Sequence, residues 1–153
     1  MDEVDLLRWP DPLGPEWQAT VEDSGEDQLF TVTEGQEGRG SVTVRFVAQT
    51  AIRDTYPYST RDRLLEPSET APAEAIQLVS EMVMEQDPAC RRLVIAADEE
   101  DLKSIDAAER GGYRYVTEVD IPGRALALLA AEPAWVLEES RDINNVPLES
   151  GAD

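Results

Sequence analysis

The chain has 153 residues, 33 acidic against 13 basic, and no histidine, for a formal net charge of −20. That length suits one domain with a substantial core, and the negative field opposes nucleic acid and anionic membranes while favouring cationic ligands. Acid–base work must fall to Asp, Glu, Tyr, Lys, the single Cys90 or water; one cysteine permits neither an intrachain disulfide nor a cysteine metal cluster.

No apolar run approaches the roughly 20 residues that span a bilayer. The acidic amino terminus lacks the basic region of a signal peptide, so a cytoplasmic protein is expected. Val4, Leu6, Leu7 and Trp9 can form a short strand before Pro10. Asp11-Pro12-Leu13-Gly14-Pro15 reads as a loop, and Trp17 and Val21 as a helical turn or strand with the tryptophans as packing anchors. Leu29–Thr33 and Ser41–Ala48 are the clearest β signals. The residues between them, Glu34 to Gly40, read as a flexible hairpin connection. Alternation puts Val42, Val44, Phe46 and Ala48 on one face, with Thr43, Arg45 and Val47 on the other.

Ala51 to Thr70 shows no clear pattern; Thr55–Thr60 reads as a strand end or loop. Arg61 to Thr70 leads into a helix whose first turn suits Pro72, with the cap near Thr70 or Ala71. Ala75, Leu78, Val79, Met82 and Val83 form its apolar stripe, and Gln86-Asp87-Pro88 ends it. Cys90 follows; with no histidine to activate it, a buried structural thiol is expected.

Leu93-Val94-Ile95-Ala96-Ala97 is an apolar run of strand length. Asp98-Glu99-Glu100-Asp101 supplies acids where a helix start favours them. Leu102, Ile105 and Ala108 follow at helical spacing, and Gly111-Gly112 ends the helix. Tyr113 to Val119 alternates as a half-buried strand, Ile121-Pro122-Gly123 turns, and Ala125–Ala130 returns. Ala134–Leu137 is a last short apolar segment. The expected layout is one domain over 1–140 and an acidic, partly ordered tail over 141–153.

Taken in order, Leu93–Asp98, the helix Asp101–Arg110, Gly112-Tyr113 and Glu118–Gly123 resemble the carboxy-terminal half of the GCN5-related N-acetyltransferase family. The likeness reaches back through the helix at Pro72–Gln86, roughly half the chain, and is nearest the branch that acylates siderophore precursors and amines. It implies an α/β (α+β) fold: a mixed, mostly antiparallel sheet with a V-shaped splay, two main helices, and reduced amino-terminal helices. It also implies acyl-CoA or acetyl-CoA between strands near Val44–Gln49 and Arg92–Ala97. Val47, Gln49, Thr70, Ala71, Ala73, Asp101 and Ser104 are the implied cofactor-binding positions. The implied reaction is direct attack of a neutral amine on the thioester, with a cationic or amine acceptor. Family dimers suggest a homodimer through Ala125–Ala130 and Trp135–Leu137.

The sequence departs from the family pattern at two places. The family holds pyrophosphate on a glycine-rich loop at a helix start. The matching stretch, Leu64 to Pro72, has no glycine, carries Glu66 and Glu69, and loses donors at Pro67 and Pro72. Like charges near an anion cost up to several kcal/mol at an effective dielectric of ~20. The family's proton-donating tyrosine falls at Ala108, and its helix-opening asparagine at Asp101. Tyr113 and Tyr115 read as core. Two functions therefore stand: an N-acyltransferase using a water-relayed base such as Glu34 or Asp54, or an inactive module that binds, assembles or regulates a protein partner.

Overall fold

The computed structural model describes residues 10–53 and 61–132 of the protein. Val4–Trp9, Asp54, Thr55–Thr60, Ala134–Leu137 and the tail at 141–153 lie outside them. Among the described residues, seven strands form one sheet: β1 (Trp17–Ser24), β2 (Asp27–Glu34), β3 (Glu37–Phe46), β4 (Arg63–Pro67), β5 (Leu93–Asp98), β6 (Arg114–Ile121) and β7 (Arg124–Ala131), in the order β1-β2-β3-β4-β5-β7-β6. All pairs are antiparallel except β4 with β5. That single parallel pair requires a crossover, which α1 (Ala73–Gln86) supplies. Between β5 and β6 lies α2 (Leu102–Arg110).

Among the described residues the sheet is mixed and mostly antiparallel with two helices, as expected. β1 turns directly into β2 through Gly25 at φ 65, with no helix between them. Turn residues with positive φ match the right-handed twist of the flanking strands. The β2–β3 connection is also tighter than the sequence suggested. Only Gly35 and Gln36 separate the strands, because β3 begins at Glu37 and absorbs Gly38, Arg39 and Gly40. Val47–Gln49 leaves the sheet as a 3-10 turn.

Two apolar layers cover the sheet. On the helix side, Phe30, Val32, Val42, Val44, Leu65, Leu93, Ile95 and Leu129 pack with Ala75, Ile76, Val79 and Val83 of α1 and Ala108 of α2. On the other side, Leu64, Val94, Leu126 and Leu128 pack with Val47 and Ile52. Strands β5 and β7 are apolar on both faces, so their sequences run without alternation. Tyr113 is buried, and its hydroxyl meets Ser80 Oγ at 2.7 Å. Tyr115 is 41% exposed on β6 and donates to Glu118 Oε2 at 2.8 Å, so it is a surface residue rather than core. Its strand forms the sheet edge and is covered on one face only.

Candidate functional site

The segment read as a loop, Leu64 to Pro72, divides in two. Arg63–Pro67 is strand β4, paired along its full length with β3 from Phe46↔Arg63 to Val42↔Pro67. Proline is tolerated there as the last residue of the strand. Its other edge behaves differently. The parallel ladder to β5 contains only Arg63↔Leu93 and Leu64↔Val94. Beyond them β4 stays with β3, while β5 follows β7 through Asp98↔Leu126. The ladder ends there, and the inner edges of Leu65–Pro67 and Ile95–Asp98 are not paired with each other. The expected splay is present, but its flanks are β4 and β5 rather than Val44–Gln49 and Arg92–Ala97. The short strand β4, unmarked by any long apolar run, inserts between those two segments.

An ion cluster fastens the closed end of the V. Asp87, 8% exposed, accepts from Arg63 Nη2 at 2.7 Å and Arg61 Nε at 3.0 Å, and its Oδ1 accepts from Ala89 N–H at 3.1 Å. Burial by itself would raise this carboxyl. The hydrogen bonds from Arg63 and Arg61 outweigh burial and hold it below its ordinary 3.8. Arg63 also stacks over the Phe46 ring, 3.9 Å to the centroid.

At the open end, Ser68 to Pro72 joins β4 to α1. Ser68 N–H donates to Ser41 O at 2.8 Å, Ser41 N–H donates to Ser68 Oγ at 3.0 Å, and Ala71 N–H donates to Ser68 O at 3.1 Å. The N-cap of α1 is Pro72, not Thr70 or Ala71, and no side chain caps the helix. Proline serves because its extended ψ of 173 turns the chain into the helix and its carbonyl accepts from both Ala75 and Ile76. The N–H groups of Ala73 and Glu74, in the first turn, have no carbonyl of their own helix to reach. They and the helix dipole form an anion-favouring end. The exposed carboxylates of Glu66, Glu69 and Glu74 stand around it; Glu66 is drawn towards Arg45 Nε at 3.6 Å.

The second helix start is at the same end of the sheet, directly after β5. Asp101 caps α2: its Oδ1 accepts from Ser104 N–H at 3.2 Å and its Oδ2 from Ser104 Oγ at 2.7 Å. Those bonds, the hydroxyl first, hold the exposed carboxyl below its usual value. Thr70, Ala71, Ala73, Asp101 and Ser104 are thus gathered around the open end. Val47 and Gln49 are not. β3 runs antiparallel to β4, so its carboxy-terminal end lies beside the closed end, where Val47 N–H donates to Asp62 O at 3.0 Å. Val47 is fully buried in the second apolar layer, and Gln49 Nε2 donates to Glu26 Oε2 at 2.8 Å.

The remaining candidates also have defined places. Glu34 closes β2 at the open-end side, and its Oε1 accepts from Arg39 Nε at 3.0 Å. Ala108, where the family's tyrosine would stand, is fully buried in the core. Cys90 is buried, and burial pushes its thiol up to about 11, as expected of a structural cysteine. The apolar strand proposed for dimerisation, β7, is paired on both sides. Its apolar character reflects burial within the monomer rather than an available edge.

Sequence reasoning missed Gly40. It has φ +80, and a Cβ there would stand 2.7 Å from Ala71 N and 2.8 Å from Ser68 Oγ. A glycine inside a strand signals a bulge or a close backbone approach. That signal was obscured because Gly35, Gly38 and Gly40 together resemble a flexible linker.

The sequence itself matches no family profile and no curated protein. Solved structures match over most of the chain. An uncharacterised Bacillus halodurans protein aligns at TM-score 0.64 and 16% identity, over 78% of this chain and 66% of that one. An aminoglycoside acetyltransferase, AAC(6')-Ib in complex with coenzyme A and kanamycin, aligns at 0.62 and 11%, over 76% and 72%. The fold is that of the GCN5-related N-acetyltransferases. A Vibrio fischeri ribosomal-protein-S5-alanine acetyltransferase also shares this acetyltransferase fold, at 0.52 and 12%, over 71% and 63%. The chain thus spans about two thirds of the length of these relatives.

Proposed function

We propose that the chain is an acyl-CoA-dependent N-acyltransferase acting on a cationic amine. The observation that carries this is the β4–β5 ladder, which stops after two residue pairs. Backbone groups at a split inside a sheet need partners, and the amides of a pantetheine arm supply them as a missing strand would. Thr70, Ala71 and Ala73 then border the diphosphate end, with Ala73 and Glu74 N–H as donors, and Asp101 and Ser104 border the opposite side of the gap. Bound acyl-CoA supplies an activated thioester carbonyl. The chain's own part is to orient that group between β4 and β5, exclude water with the apolar layers, and draw in the acceptor. Asp98, Glu99, Glu100 and Asp101 form an exposed acidic run at the same end, which favours a cationic amine by electrostatic attraction. Coenzyme-bound aminoglycoside acetyltransferases of the same fold support the amine class.

The test is thermal melting with acetyl-CoA and longer acyl-CoA species, followed by thiol-release assays on polyamines and aminoglycosides. A concentration-dependent rise in melting temperature, and turnover with at least one polycation, is expected. No shift at millimolar acyl-CoA would refute the reading and leave a binding module of acetyltransferase fold.

A further inference from the structure

The loop before α1 lacks the glycines that let a backbone curl around phosphate, yet it closes tightly against β3. Between the pairs Thr31↔Ser41 and Thr33↔Gly38, two residues of β3, Arg39 and Gly40, stand opposite the single Val32 of β2. This is a β-bulge, a device that re-aims a strand beside functional sites. Gly40, at φ +80, is its left-handed residue.

The bulge faces the loop. A Cβ on Gly40 would come within 2.7 Å of Ala71 N and 2.8 Å of Ala71 Cα. These are backbone atoms, so the loop could not relieve the clash by turning a side chain. Ser41, the next residue, holds Ser68 through both of its backbone groups. Ser68 in turn holds Ala71 through its carbonyl. Ala71 is followed by Pro72 and by the donor residues Ala73 and Glu74. Gly40 therefore sets where the first turn of α1 presents its N–H groups.

We infer that Gly40 is a positioning residue for the diphosphate end of the site, doing from β3 what loop glycines do elsewhere, with Ser68 as its clasp. This rests on the coenzyme reading given above. It makes a claim that a merely structural glycine would not satisfy: Gly40 governs recognition of the diphosphate and not of the thioester arm.

The experiment compares binding of acetyl-CoA and of S-acetylpantetheine, which has the same thioester and arm but no diphosphate, by calorimetry on the full chain. The unsubstituted protein should prefer acetyl-CoA. In Gly40→Ala that preference should fall about tenfold or more, with S-acetylpantetheine affinity unchanged. Gly38→Ala is the control in the same strand, since a Cβ there meets nothing within 4 Å; its preference should be unaltered. Should Gly40→Ala fail to fold, Ser68→Ala removes the clasp alone and should lower the preference about threefold. A folded Gly40→Ala with the full preference, or an equal loss for both ligands, overturns the inference alone. Failure of the unsubstituted protein to bind acetyl-CoA overturns the coenzyme reading and this inference with it.

Discussion

Asp87 holds together the end at which β4 and β5 still pair, so its replacement by asparagine tests how the V is fastened. The carboxylate is 8% exposed and bonds Arg63, whose side chain is 11% exposed, at 2.7 Å. The Arg61 side chain is 51% exposed, and its share is correspondingly screened. Breaking a buried pair costs about 3–5 kcal/mol when a charge is stranded. Asparagine keeps one neutral acceptor, for Arg63 or for Ala89 N–H but not both, because the two bond different carboxylate oxygens; roughly 2–4 kcal/mol is expected. At about 2–4 °C per kcal/mol for a domain of this size, the melting temperature should fall by roughly 5–15 °C. The pH dependence has a definite sign. The folded carboxyl lies below its ordinary 3.8, so its stabilisation is whole above that value and is lost as pH falls through the folded value. Asp87→Asn should therefore show a flatter decline of stability in acid than the parent. Circular dichroism melts from pH 7 to pH 3 measure both effects. A loss below about 1 kcal/mol at pH 7, or parallel acid declines, would refute this account.

Other consequences are direct. Tyr113→Phe should cost only about 1 kcal/mol in denaturant titrations, because Ser80 Oγ keeps its 2.7 Å bond to Ile76 O; a loss above about 3 kcal/mol would mean the hydroxyl does more. Cys90 is buried, with its thiol pushed up to about 11, so native protein at pH 8 should resist thiol reagents until it unfolds. Modification at the rate of a free thiol would contradict that. Glu69→Gln removes a negative charge beside the uncapped start of α1 and should tighten acetyl-CoA binding severalfold at low salt, with the gain shrinking as salt rises. Unchanged affinity in calorimetry would place the diphosphate elsewhere.

The segments that could be read from sequence are those whose neighbours in space are neighbours in the chain. β5, α2, β6 and β7 lie within 93–131, and each carries a local sign: an apolar run, an acidic cap, a glycine stop, an alternation. α1 was equally plain from its apolar stripe. β4 was not, because Arg63–Pro67 is five residues with a proline and owes its strand state to partners at least seventeen positions away in sequence. Missing it misplaced the flanks of the splay and made four of its five residues look like phosphate loop.

The candidate positions divided the same way. Thr70, Ala71, Ala73, Asp101 and Ser104, implied by the family resemblance, lie at or beside the two helix starts, α1 and α2. Val47 and Gln49 required the direction of β3 relative to β4, which composition does not encode. Gly40 required knowing that Ala71 packs on it.

The amino-acid sequence determined the acidity, the absence of histidine, the helix boundaries to within a residue or two, and the strands of the second half, since propensity and periodicity act over short distances. Tertiary structure decided where the ladder between β4 and β5 stops, which end of the sheet is open, and which glycine makes room for the loop. Those are contacts between residues far apart in the chain, fixed only when the sheet closes around its core.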